Sequence, residues 1–154
     1  MQAKEISFKQ ICSIWEDKLW PERQSAIETH SAMTWPFEGD PDSIDMSIFD
    51  YDPVFFGVYS KQRLIGVNSG HPTSDRHYRS RGIWVEPSFR KTGVAQLLFS
   101  MLEETAIDCG CEMLWSIPRK TALPAYTKFG FETVGDFFST ETSDANIYVR
   151  KFLL

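Results

Sequence analysis

Between Gly82 and Ile117 the chain reads strand, helix, strand, and this order constrains the fold more than any other feature. Gly82-Ile83-Trp84-Val85 is a short apolar run of strand type. Val94, Leu97, Leu98, Met101 and Leu102 then recur at helical spacing, and Gly110 is a good helix stop. Glu112-Met113-Leu114-Trp115-Ser116-Ile117 follows as a strand apolar on both faces, hence central. Two strands joined through a helix lie parallel, with a right-handed crossover. The turn into the helix is Arg90-Lys91-Thr92-Gly93-Val94-Ala95. A small-residue turn opening a helix suits a phosphate, because the first helical N–H groups are unpaired and the helix dipole favours negative charge there.

The flanking segments supply more strands. Val54–Tyr59 and Leu64–Asn68 form a hairpin through Ser60–Arg63, and a polar link from Gly70 to Arg76 leads to a strand over Tyr78–Val85. Thr121 is placed to cap a short helix that stops at Gly130. Phe131–Val134 and Ile147–Val149 read as closing strands. Upstream, Glu5–Phe8 reads as a first strand, and Ile11, Ile14, Trp15 and Leu19 mark a helix over Lys9–Arg23 that Pro21 ends or bends. A second short helix fits Gln24–Met33. The loop beyond Trp35-Pro36 carries Glu38, Asp40, Asp42, Asp45 and Asp50, as a solvated connector or a substrate-facing loop. The expected architecture is one α/β (α+β) domain spanning residues 1–154. It holds a single mixed, largely antiparallel sheet with a central parallel pair and helices on both faces.

A net charge of −5 argues against broad nucleic-acid binding, and no stretch is apolar enough to span a membrane. The N-terminus has no signal-peptide pattern. Three cysteines, Cys12, Cys109 and Cys111, make neither a disulfide framework nor a zinc site, so a reducing cytoplasm is the expected location. Cys111 opens an apolar strand and reads as a buried small hydrophobe. The histidines are not at metal-ligand spacing, so no metal is expected.

A second segment follows the helix: Ala122-Leu123-Pro124-Ala125-Tyr126-Thr127-Lys128-Phe129-Gly130-Phe131. Together the two segments resemble the GNAT N-acetyltransferase superfamily. Its first motif, Gln/Arg-x-x-Gly-x-Gly/Ala, is matched by Arg90, Gly93 and Ala95. Its second, Ala-x-x-x-Tyr-x-x-x-Gly-Phe, is matched by Ala122, Tyr126, Gly130 and Phe131. Ile83–Pro87 resembles the family's strand before the phosphate loop, and the likeness spans roughly residues 54 to 137.

The resemblance implies acetyl-CoA, or another acyl-CoA, as donor, bound by Arg90 and with the backbone of Lys91, Thr92, Gly93, Val94 and Ala95 around its diphosphate. It implies backbone N–H groups of Trp84 or Val85 polarising the thioester, and Tyr126 protonating the departing thiolate. It also implies direct attack by the acceptor amine. The family often has Asn near position 119. Here Arg119 stands there, and a guanidinium suits a phosphate instead. Lys120 and Lys128 add positive charge nearby. For the general base the candidates are His77, His71, Asp75 and Glu86, with His77 at the start of the family's strand; deprotonation by solvent is the alternative. Arg76, Arg79 and Arg81 either face an anionic acceptor or serve as surface and ion-pair residues.

The expected activity is therefore acetyl transfer to a primary amine of a small molecule or peptide. Trp15, Trp20, Trp35 and Phe37 either line the acceptor site or pack in the core. A CoA-binding regulatory module without turnover and a structural interaction protein are the rival classes. An exposed final strand leaves room for a homodimer.

Overall fold

A computed structural model describes residues 1–38, 43–140 and 145–153. Its strands are β1 (Gln2–Glu5), β2 (Val54–Ser60), β3 (Arg63–Pro72), β4 (His77–Val85), β5 (Met113–Ser116), β6 (Glu132–Phe138) and β7 (Asn146–Phe152). They form one sheet in the order β1-β2-β3-β4-β5-β7-β6. Among the described residues only β4 and β5 pair in parallel; the other neighbours are antiparallel. This is the expected mixed sheet with its central parallel pair.

Helix α2 (Val94–Asp108) buries Val94, Leu98, Phe99, Leu102 and Ala106 as one stripe. They meet Phe56, Val58, Ile65, Tyr78 and Leu114 on one face of the sheet, with α3 (Leu123–Phe129) alongside. Burying each large apolar side chain contributes roughly 2 kcal/mol. The opposite face carries α1 (Phe8–Ile14), whose Ile11 packs with Trp15, Phe55, Val67 and Trp84. Phe55 and Phe56 thus point to opposite layers, as strand alternation requires.

Several expectations change. The first strand is Gln2–Glu5 rather than Glu5–Phe8, because Ser7 and Gln10 form a reciprocal capping box that starts α1. After Ile14 the helix widens into a π turn, Trp15–Leu19, and ends before Pro21. Residues 24–33 form no helix: their polar groups bond to side chains from other elements instead. Ser31 N–H donates to His71 Nε2, and the Glu28 carbonyl accepts from Arg81. Gly70–Pro72 belong to β3 rather than to a polar link. The position before α3 is Ala122, not Thr121, and no side chain caps it. The final strand β7 lies between β5 and β6, so β6 is the edge. Asp40 and Asp42 lie outside the described residues. Among the described residues no helix is long and apolar enough to cross a membrane.

One irregularity shapes the site. Val67 pairs with Trp84 but Ser69 with Arg81, so β4 carries one extra residue there. Gly82 absorbs it at φ 75°, a conformation that suits glycine. Its carbonyl accepts the Trp15 indole N–H at 2.8 Å, and an added Cβ would lie 2.4 Å from that nitrogen. Pairing between β4 and β5 ends at Arg79 and Trp115. Beyond that pair the two parallel strands separate.

Candidate active site

The turn after β4 is built to leave amides free. Pro87–Phe89 forms a 3₁₀ turn, Lys91 and Gly93 both take positive φ (62° and 94°), and α2 starts at Val94. Arg90 Nε–H donates to the Val85 carbonyl at 3.1 Å, and the Thr92 hydroxyl donates to the Phe89 carbonyl. Among the described residues, the backbone amides of Lys91, Thr92, Gly93, Val94, Ala95 and Gln96 make no backbone hydrogen bond. A Cβ added to Gly93 would meet nothing within 4 Å, so the space before the turn is open. Successive unpaired N–H groups at a helix start form an anion cradle.

The cradle opens into a cleft of about 440 Å³. Of the residues singled out in the sequence, Trp84, Val85, Arg90, Lys91, Gly93, Ala95, Arg119 and Tyr126 line it. Thr92 and Val94 do not: the Thr92 hydroxyl is tied to Phe89, and Val94 packs in the core at 1% exposure. Their amides still belong to the cradle. Lys128 lines the cleft, whereas Lys120 lies over the Phe137 ring.

No motif marks Lys18 and Leu19 as lining residues, yet both line the cleft. They arrive because Arg119 Nη2 donates to the Leu19 carbonyl at 2.7 Å across 100 residues of chain. Arg90, Lys91, Lys128, Lys18 and Arg119 make the cleft positive on a chain of net charge −5.

Tyr126 stands where the parallel strands part. It is 2% exposed, and its hydroxyl lies 3.4 Å from Ser116 Oγ. Ser116 in turn donates to the Ser80 carbonyl at 2.6 Å, just past the last β4–β5 pair. Burial pushes the Tyr126 pKa up, opposed by the Ser116 hydrogen bond and the Arg79 charge. The phenol therefore keeps its proton at neutral pH.

The base candidates do not gather here. His77 starts β4, paired with Met113, seven residues before Trp84, which is about 23 Å at strand rise. Its Nε2 lies 3.2 Å from Glu38 Oε2, and burial lowers its pKa despite that carboxylate. Glu86 pairs with Arg63 at 3.0 Å, and Asp75 is exposed at the other end of the sheet.

His71 is fully buried, with Nε2 accepting the Ser31 N–H and Nδ1–H donating to the Pro72 carbonyl. Both nitrogens are used, and burial pulls its pKa from 6.5 down to about 3. The unfolded chain thus binds this proton more tightly, so stability is present above pH 6.5 and drains away as pH falls toward 3. By pH 5 the loss is roughly 2 kcal/mol. Denaturant unfolding at pH 7 and pH 5 will show a drop smaller by about that amount in His71→Asn; equal drops would rule this role out.

The model of the Acetyltransferase (GNAT) family matches residues 14–131. The chain belongs to the GNAT acetyltransferase family. This GNAT fold superposes on an aminoglycoside 6'-N-acetyltransferase complexed with coenzyme A, with a TM-score of 0.69 at 14% identity, covering 99% of this chain and 97% of that one. Ard1 from Thermoplasma volcanium gives 0.68 at 16% identity over the same shares. A nourseothricin acetyltransferase gives 0.61 at 24% identity, over 67% of this chain and 66% of that one. These likenesses establish the GNAT fold alone. No curated protein is a significant sequence match to this GNAT chain.

Proposed function

We propose that this protein transfers an acetyl group from acetyl-CoA to a primary amine by direct attack. The observation that carries the reading is the row of unpaired amides at residues 91–96, opening onto a positive cleft that ends at Tyr126. In the aminoglycoside enzyme the solved complex holds coenzyme A. Here the residues fit such a ligand: the cradle matches a diphosphate, Arg119 and Lys128 match further phosphate, and the gap after Arg79 leaves β4 backbone free to pair with an extended amide arm.

The chemistry follows from position. Backbone N–H at Trp84 or Val85 polarises the thioester carbonyl. The amine nitrogen bonds to the carbonyl carbon, the carbon–sulfur bond breaks, and the thiolate takes the Tyr126 proton. From a phenol near 10 to a thiol near 8.5 this is uphill by about 2 kcal/mol in water. Burial of Tyr126 adds to the climb; Arg79 and Ser116 reduce it by stabilising the phenolate. The amine loses its own proton to solvent, since no base candidate from the sequence lines the cleft. The unpaired cysteines support a cytoplasmic setting.

Thermal unfolding with and without CoA tests the binding step. At a hundredfold excess over Kd, CoA stabilises by about 2.7 kcal/mol, hence roughly 5–10 °C for a domain of this size. No shift would remove the reading. A shift without turnover on any amine would leave a CoA-binding module.

A further inference from the structure

Among the buried side chains whose polar atoms lack a hydrogen-bond partner, Arg79 is the guanidinium cation. It is 9% exposed, and its Nε and Nη1 have no hydrogen-bond acceptor. Its strand neighbours are satisfied: Arg76 is paired with Glu112 and Glu38, and Arg81 donates to the Glu28 carbonyl between the Trp15 and Trp20 rings. Arg119, Arg150 and Arg63 likewise reach oxygens. Among the described residues, no carboxylate pairs with Arg79. Its guanidinium rests 5.1 Å over the Trp115 ring, which does not replace lost hydrogen bonds. Burial lowers its pKa to about 10, so it remains a cation at neutral pH.

A desolvated cation without a partner is costly, and the cost is recovered when an anion arrives. The place of the cation identifies that anion. Arg79 is the last β4 residue paired with β5. The next residue, Ser80, receives the Ser116 hydroxyl, which also meets Tyr126. Arg79 and Arg81 project from the sheet face opposite Tyr78, the face that α1 and the Trp35 segment cover. The guanidinium and the phenol therefore flank one junction from opposite faces, near enough for each charge to act on the other.

We infer that the acceptor is an amine bearing a carboxylate close to its nitrogen, and that Arg79 binds that carboxylate. This rests on the acyl-transfer reading of the cleft. A guanidinium suits the task because its planar donors match a carboxylate and it is never neutral at working pH. Arg81, held nearby without a carboxylate of its own, keeps the potential positive on the same face.

The test compares α-, β- and γ-amino acids with their own carboxamides, as acceptors under saturating acetyl-CoA, by thiol release. At least one acid will exceed its amide in kcat/KM by tenfold or more. In Arg79→Gln that ratio falls to near one, the CoA-induced thermal shift persists, and the free protein melts no lower than wild type. A role of Arg79 on Tyr126 alone would slow acid and amide equally and leave the ratio intact. Arg79→Lys, which keeps the charge, guards against a folding defect in the glutamine variant and retains part of the preference. Acids and amides used alike, a ratio unchanged in Arg79→Gln, or CoA binding with no turnover of any acid would each overturn the assignment. Absence of a CoA shift in wild type would instead defeat the acyl-transfer reading itself.

Discussion

Gly93→Asp will abolish the thermal shift produced by CoA, at a cost to the free protein of about 1 kcal/mol for placing a side chain on left-handed backbone. Position 93 precedes α2 and sits at φ 94°, and a Cβ added there meets nothing within 4 Å. Aspartate enters left-handed backbone more readily than most residues, which limits the strain that a side chain meets at this φ. The same carboxylate accepts the amides that a diphosphate needs and faces it with like charge. At about 4 Å and an effective dielectric near 20 such repulsion is about 4 kcal/mol, a loss near a thousandfold in affinity. Calorimetric titration of both proteins with CoA reads this directly. Equal affinities would mean that the diphosphate does not sit at residues 91–96.

Tyr126→Phe will lower kcat by about a hundredfold or more while CoA affinity changes little. The phenyl ring keeps its contacts with Phe99 and Phe131, 4.7 and 5.2 Å away between centroids, so the fold is retained. What disappears is the hydroxyl beside Ser116, and with it the proton that the proposed mechanism gives to the leaving thiolate. A pH profile adds a second readout: a high-pH limb set by the raised phenol is expected in wild type and absent from the variant. Unchanged kcat would transfer the proton's source to solvent.

The parts of the fold that could be read from sequence were those fixed by local chemistry. The α2 stripe, the glycine before it and the Gly130 stop each announce themselves within a few residues, and the parallel β4–β5 pair follows from them. Tyr126 stood out through its spacing to Gly130 and Phe131.

The remainder depends on partners far along the chain. A short helix fits residues 24–33 in sequence, yet Arg81 and His71 claim their backbone. The Gly82 bulge exists because Trp15 fills its place, 67 residues earlier. Leu19 reaches the cleft only through Arg119. His77 was well placed by motif but stands at the wrong end of a nine-residue strand, a matter of register that composition does not reveal. Arg76, Arg79 and Arg81 look equivalent in sequence; only the folded surroundings leave Arg79 without an acceptor.

The proposed acyl transfer depends first on where the acyl carrier binds, and a crystal structure with acetyl-CoA measures that directly. The diphosphate oxygens are expected about 2.7–3.2 Å from amides of residues 91–96, with the thioester beside the Trp84–Val85 backbone and its sulfur near the Tyr126 hydroxyl. A diphosphate held anywhere else, or a thioester remote from Tyr126, would contradict that placement.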